Sequence, residues 1–470
     1  MTGVAQALTL CPLSMLIMLG ACTPTPGDTD TDTASSSSST GDTGDELPPL
    51  EGYADLHLHM FAEDAFGGGW LHGQATGAAE VALALCDGGT PGDHATLQED
   101  LAQLFATCDQ EVLDDASSKV ELLELLLAIG GDGLSELLGE VPGTSGDTGK
   151  HSDRRGGWPE LDGWPRWDTI AHQQSWQGWL HDAYLSGLRI ETISAVSNDW
   201  LCRALPPENL DRPQCDEMAD VRVQLQKAND FANANDWVEI ALSAEDARRI
   251  VSEDKLALIL SIETTHLFGD DDWRAALDEV YDLGVRALQL VHQLDNRFGG
   301  AAPHNSIFHI AQFGENCHID SDCGITTPEF TLGFDVDSNC RNVRGLSEEG
   351  EALVREMIER NMLIDLAHMS EALVSDVHQI AVENEYYPLY LSHAHFREMM
   401  LPEKAKEEKT TPASIIAMVR ETGGMVGLRT AHEEVNTYES SAVANTCHGS
   451  SRSFAQAYDF GRLGLKVAIG

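Results

Sequence analysis

Between Gly345 and Arg397 the chain reads GLSEEGEALVREMIERNMLIDLAHMSEALVSDVHQIAVENEYYPLYLSHAHFR, and this stretch constrains the fold more than any other. Leu353, Val354, Met357 and Ile358 recur at helical spacing. Met362-Leu363-Ile364 follows at once, an apolar run too short for a helix, and it ends in Asp365-Leu366-Ala367-His368. Ser370 is placed to cap the next helix, whose buried face is Leu373, Val374, Val377, Ile380 and Ala381. Pro388 stops that helix before Leu389-Tyr390-Leu391, and the second strand runs out in Ser392-His393-Ala394-His395. Two strands joined through a helix each deliver a histidine where strand gives way to loop. In a parallel α/β barrel or doubly wound sheet, that carboxyl end is where sites are built. One such histidine is ordinarily a hydrogen-bonded structural residue, whereas two in register, with more upstream, point to a metal site.

Three upstream segments repeat the design. Tyr53-Ala54-Asp55-Leu56-His57-Leu58-His59 alternates, so His57 and His59 leave a strand on the same side and both imidazoles reach one metal. Lys255 to Glu263, KLALILSIE, is a continuous apolar run suited to a strand covered on both faces, and it terminates in an acid. An ionised glutamate there has to be paired or bound to metal. Val280 to His292, VYDLGVRALQLVH, again ends in histidine.

LVREMIERNMLIDLAHMS followed by PLYLSHAHFR closely resembles the two zinc-ligand segments of the membrane (renal-type) dipeptidases, zinc metallopeptidases of the amidohydrolase-like superfamily on a (β/α)₈ barrel. With insertions, the resemblance runs from about Tyr53 to the end. It implies a TIM-type α/β barrel and a binuclear zinc metallohydrolase. His57 and His59 would hold one ion, and His368 and His393 the other. Glu263 would bridge them, because Ile262-Glu263-Thr264-Thr265-His266 resembles I-E-G-G-H of the family. His292 matches a histidine that contacts the scissile group, which makes it the candidate for stabilising the oxyanion. Two such metals share a hydroxide that attacks the peptide carbonyl they polarise.

The departures are specific. The family carries H-x-D where His57-Leu58-His59 stands, so His59 is neutral where a carboxylate is usual. Thr264 and Thr265 replace two glycines and crowd the backbone near the metals. Eleven positions beyond His393 the family has an arginine that grips the substrate carboxylate; here Lys404 stands there, a point charge without a bidentate fork, with Arg397 nearer. The chain stops at Gly470 before the G-x-D whose aspartate binds metal and shuttles the proton, so the last strand reads as cut off and the sequence as a fragment. These departures leave open a lactone or phosphoester as substrate instead of a dipeptide, or a non-catalytic surface lipoprotein on a truncated barrel.

Residues 1–22 read as a lipoprotein signal: Leu8 to Leu19 is apolar and Leu19-Gly20-Ala21-Cys22 resembles a lipobox, with Cys22 as the lipidated residue. No Lys or Arg precedes the apolar run. Residues 23–50, rich in Ser, Thr, Asp and Gly, cannot bury a core and form a tether. The expected location is extracytoplasmic and membrane-anchored, with the barrel over 51–470. A net charge of −48, from 77 acidic and 29 basic residues, makes nucleic acid and anionic membrane surfaces poor partners. Eight cysteines lie beyond Cys22, an even number that suggests disulfides, with Cys202–Cys215 and Cys317–Cys323 near enough in sequence for local pairs. Residues 78–150 read as a helical insertion and 293–344 as a long cysteine-containing loop that shapes specificity. The tryptophans Trp158, Trp164, Trp167, Trp176 and Trp179 read as packing of a helix onto the barrel.

Overall fold

The computed structural model describes residues 50–84, 108, 109, 173, 175–304, 306–321, 323–325, 330–402, 404–429, 438–444, 451–462 and 466–469. All of them fall in one unit, Leu50–Gly470. The signal, the tether with Cys22, and most of the expected 78–150 insertion lie outside the described residues, as do Trp158, Trp164 and Trp167.

Eleven strands are described: β1 (Tyr53–Leu58), β2 (Leu188–Ser197), β3 (Val238–Ile240), β4 (Leu256–Thr264), β5 (Val285–Gln289), β6 (Ile319–Asp320), β7 (Thr331–Leu332), β8 (Leu363–Asp365), β9 (Leu389–Ala394), β10 (Met425–Leu428) and β11 (Lys466–Ile469). Eight of them close a parallel ring in the order β1-β2-β4-β5-β8-β9-β10-β11. Closure comes from β2, which pairs with both β1 and β4, and from β11, which joins Asp55 of β1 through Ile469 and runs in register with β10 from Met425↔Lys466 to Leu428↔Ile469. The strand that reads in sequence as cut short thus pairs on both edges. β3 adds to the N-terminal end of β4 at Leu256–Leu258, ahead of where β5 joins at Leu260.

Residue parity explains how β4 serves two layers. Leu256, Leu258, Leu260 and Ile262 are fully buried in the main core with the surrounding helices. Ile259 points the other way, packing against Leu56, Ala287, Tyr390 and Ala468, which come from four strands and meet across the ring. Glu263 shares the parity of Ile259, so the acid that ends the strand is aimed inward. Outside, helix Glu348–Glu359 buries Leu353, Val354 and Met357, and helix Glu371–Glu383 buries the five residues that its periodicity marks. Ser370 caps the latter by accepting the Leu373 N–H at 3.0 Å. Gly424 stands before β10 where a Cβ would meet the Leu389 carbonyl oxygen at 1.7 Å, so only glycine lets that turn approach β9.

Two expectations are corrected. The 293–344 segment is built, not open loop: it contains helix Ser306–Asn316 and the antiparallel pair β6 and β7. Cys202 pairs with Cys215, but Cys317 pairs with Cys108 and Cys323 with Cys340. Nearness in sequence does not supply the required Cα separation, which is 5.4 Å in both observed pairs. Trp176 and Trp179 meet edge to face at 5.9 Å, and Trp176 donates to the Gly77 carbonyl. Among the described residues no helix is long and apolar enough to cross a membrane.

Candidate metal centre

Five imidazoles and one carboxylate converge at the carboxyl end of the ring. Each comes from where its strand stops: His57 and His59 from β1, Glu263 from β4, His292 three residues after β5, His368 three after β8, and His393 within β9. Glu263 is 2% exposed and lies at the middle, its two oxygens facing opposite groups. Oε2 has His57 Nε2 at 3.0 Å and His59 Nε2 at 3.3 Å. Oε1 has His292 Nε2 at 2.9 Å and His368 Nε2 at 3.3 Å. His393 completes the second group, its Nε2 2.9 Å from His368 Nε2. His57 and His393 stack across the two groups with ring centroids 4.1 Å apart.

Positioning interactions set which nitrogen of each ring faces the centre. His59 places Nδ1 2.9 Å from the Ser194 carbonyl oxygen of β2, so Nδ1 carries the proton and Nε2 presents its lone pair. His393 Nδ1 meets Ser392 Oγ at 2.8 Å, which leaves its Nε2 inward as well. His368 adopts φ +62°, a left-handed conformation that is unfavourable for a residue with a Cβ by about 1–2 kcal/mol. The backbone there is fixed by the 293–344 segment, whose Ala302 N–H donates to the His368 carbonyl at 2.8 Å. Asp365, fully buried, joins three strands: it accepts from Gln289 Nε2 at 2.9 Å, Ser392 N–H at 2.9 Å and Ala367 N–H at 3.0 Å. Burial holds its carboxyl above the usual range despite those donors.

Electrostatics follow from the same packing. Burial pushes the Glu263 carboxyl up, but the neighbouring His292, His57 and His59 outweigh it and hold the group well below the usual range. Burial lowers His368 to about 4 and holds His393 well below the ordinary imidazole value. Both second-group histidines are therefore neutral near pH 7, the form that ligates.

The donor set fits a cation. Glu263 Oε2 is buried and accepts no hydrogen bond among the described residues, although two imidazole nitrogens flank it. His57 Nε2 and His59 Nε2 stand 3.1 Å apart, as ligands do when each is about 2.0–2.1 Å from one ion in tetrahedral geometry, about 3.3 Å from each other. His57, His59 and Glu263 form one candidate ligand group, and Glu263, His292 and His368 another.

The remaining sequence candidates are placed differently. Arg397 is engaged by Glu371 Oε1 at 2.8 Å, by Thr410 Oγ1 at 3.0 Å and by the Thr410 and Glu408 carbonyls. Lys404 lies on the short turn Lys404–Lys406 with Nζ 3.3 Å from Glu407 Oε1. Thr264 and Thr265 are both fully buried, and Thr265 Oγ1 accepts from Asn198 Nδ2 at 2.7 Å. Sequence reading missed Asp365, although an acid closing an apolar strand is the signal that marks Glu263. It also missed His304, whose ring lies 5.9 Å from that of His368 and whose pKa is held well below the ordinary value by burial, then by Lys409.

A family model described as membrane dipeptidase, peptidase family M19, matches residues 194–317 and 331–448, more than half of the chain. The match includes Glu263, His292, His368 and His393 and begins beyond His57 and His59. Dipeptidase tcpJ of Claviceps purpurea (strain 20.1) is 26% identical over 160 residues, 34% of this chain and 28% of its own length. The uncharacterized dipeptidase C3A11.10c of Schizosaccharomyces pombe (strain 972 / ATCC 24843) is 26% identical over 171 residues, 36% of this chain and 31% of its own. The chain thus spans less than a third of either curated relative. Among solved structures, a metallo peptidase from Rhodobacter sphaeroides liganded with a phosphinate mimic of the dipeptide L-Ala-D-Ala aligns at 17% identity and TM-score 0.42, covering 62% of this chain and 75% of that one. The probable dipeptidase PvdM from Pseudomonas aeruginosa aligns at 15% and 0.39, covering 53% and 52%.

Proposed function

The chain belongs to the membrane dipeptidase family, peptidase family M19, and from that premise we propose that it hydrolyses dipeptides at a centre of two zinc ions bridged by Glu263. The observation that carries the reading is the two-sided carboxylate: Oε2 faces His57 and His59 while Oε1 faces His368, and His393 lies 2.9 Å beyond. His57 and His59 would hold one ion, and His368 and His393 the other. Ions bound there would lower the pKa of a water and polarise a carbonyl, which is the chemistry that peptide hydrolysis needs. His292, whose Nε2 lies 2.9 Å from Glu263 Oε1, stands beside the centre and would donate to the oxygen that gains charge. Ser194 and Ser392 keep the His59 and His393 imidazoles turned inward as outer partners of the ligands, and Asp365 fixes the backbone beside His368 and His393 through the Ala367 and Ser392 N–H groups.

Elemental analysis of the purified protein, paired with turnover of a panel of dipeptides, lactones and phosphoesters, tests this. Two zinc equivalents per chain and dipeptides as the fastest substrates are expected. Glu263→Gln should lower metal affinity by more than the roughly 10–100-fold that loss of an outer partner produces. Less than one equivalent in the wild type, or faster turnover of a lactone or phosphoester, sinks the reading.

A further inference from the structure

We propose that Glu217, Asp220 and Gln224, a buried polar stripe on helix Glu217–Ala234, are positioning residues for the half of the centre built from His57, His59 and Glu263, and that the His368 and His393 half stands on a separate scaffold. This rests on the two-ion reading and goes beyond it to the groups that hold the ligands in place. The three residues are spaced by three and four, so they share one helix face. They are 5%, 1% and 2% exposed. A helix face turned to a barrel is ordinarily apolar, as this one becomes further along at Ala228 and Phe231. Polar groups buried there cost free energy unless they are bonded, and each of these is. Glu217 Oε1 accepts the Asp199 N–H at 2.9 Å and Oε2 the His266 N–H at 2.8 Å. Asp220 Oδ2 accepts the Gly67 N–H at 2.8 Å and the Ser197 hydroxyl at 2.7 Å. Gln224 takes both the N–H and the carbonyl of Val196, at 3.0 and 2.8 Å.

The partners mark which half is served. His266 is three residues past Glu263 at the end of β4, and Val196 is two residues past Ser194, whose carbonyl orients His59. Gly67 belongs to the segment that follows β1 and its two histidines. Bonds from one rigid helix to these three segments fix how far β1, β2 and β4 stand from one another at the rim, and so the separation of the imidazoles from Glu263. Asn198 adds a direct tie between β2 and β4, donating to Thr265 Oγ1 at 2.7 Å, and the Cys202–Cys215 disulfide cross-links the segment that joins Asp199 to Glu217. None of these partners lies on β8 or β9, which deliver His368 and His393. There Asp365 bonds the Ala367 and Ser392 N–H groups instead.

Stepwise zinc affinities from chelator competition, on the full chain as wild type, Glu217→Gln, Asp220→Ala and Asp365→Ala, read the proposal. His59→Ala and His393→Ala identify which step belongs to which ion. Glu217→Gln turns one acceptor into an NH₂ that faces an N–H, and Asp220→Ala removes the bonds to Gly67 and Ser197. Each should weaken the step that His59→Ala abolishes by about 10–100-fold. The step that His393→Ala abolishes should stay as in the wild type, and Asp365→Ala should reverse the pattern. Ile250→Ala serves as the stability control: it is fully buried at the amino end of β4, where its carbonyl accepts the Lys255 N–H at 3.1 Å. It should lower the melting temperature and leave both steps alone. Equal weakening of both steps in Glu217→Gln and Asp220→Ala, or of neither, overturns the assignment. Amide hydrogen exchange separates this from the reading beneath it. A wild type that takes up no zinc, with exchange quickened by Glu217→Gln around 57–59 and 263–266 but not around 365–369 and 392–394, supports the stripe and sinks the two-ion reading. Two zinc equivalents with exchange quickened in both halves does the reverse.

Discussion

His266, three residues past the bridging glutamate, shows how single side chains carry consequences at distance from the chemistry. Its Nδ1 lies 3.4 Å from Asp199 Oδ1 and 3.5 Å from Glu217 Oε1, both carboxylates buried, on the wall of a cavity of about 540 Å³. Burial lowers its pKa, but the bonds to Asp199 and Glu217 and their charges outweigh that and push it up to about 11. A histidine whose folded value exceeds its ordinary 6.5 stabilises the fold fully below about 6.5, and that stability is lost as pH rises toward 11. Thermal unfolding of the wild type should therefore weaken between pH 7 and pH 9.5, and His266→Gln should remove that component. At pH 7 the variant should be less stable by about 2 kcal/mol, the low side for breaking a buried ion pair because the ring is part-exposed. Parallel pH slopes in the two proteins would refute it. At this scale sequence was a guide where a residue's cost declared itself, as at Glu263, although Asp365 carries the same sign and was passed over. An acid closing an apolar strand, as Glu263 does, has few physical excuses. Ser194 and Ser392 gave no such sign, because a carbonyl or hydroxyl that orients an imidazole is chemically like any other.

Elements were legible in proportion to how cleanly one face was apolar. The helices over 348–359 and 371–383 bury the residues that their periodicity names, and the strand ends between them fall where Pro388 and the capping serine put them. Helix Ser306–Asn316 was not legible. Phe308, His309, Ile310, Ala311, Gln312 and Phe313 are all buried, so no polar face marks the turn period and two polar residues interrupt the apolar one. The disulfides that flank it escaped for a related reason: pairing depends on where the helix and ribbon deliver Cys317 and Cys323, which spacing does not reveal. Ser370 makes an element-scale prediction. It caps the 371–383 helix and its Oγ donates to the Arg344 carbonyl at 2.7 Å, two residues after the strained His368. Ser370→Ala should destabilise the protein by about 1–2 kcal/mol, from the lost cap and an unpaired buried carbonyl. Because the same turn holds His368, zinc affinity measured by chelator competition should fall as well. Lost stability with metal affinity intact would mean that the cap and the ligand turn are independent.

On the scale of the whole molecule, closure of the ring and excess charge pull in opposite directions. Eight parallel strands seal a core of fully buried leucine, isoleucine and phenylalanine side chains, each contributing about 1.5–3 kcal/mol. Against this stands a net charge of −48. Local pairs offset part of it: Arg249 bridges Glu239, Asp246 and Glu253, and Arg360 bridges Asp278 and Glu356. Such exposed pairs are screened by solvent and contribute little, and 29 bases cannot neutralise 77 acids one for one. Repulsion among the surplus carboxylates should therefore outweigh the pairs. Salt shortens the reach of both, from about 30 Å at 0.01 M to about 3 Å at 1 M, but surplus repulsion acts over long distances and is screened first. The thermal midpoint should thus rise by a few degrees between 10 mM and 0.5 M sodium chloride, measured by calorimetry at constant zinc. A midpoint that falls with salt would mean that the arginine bridges, and not the acidic excess, govern the stability of the folded barrel.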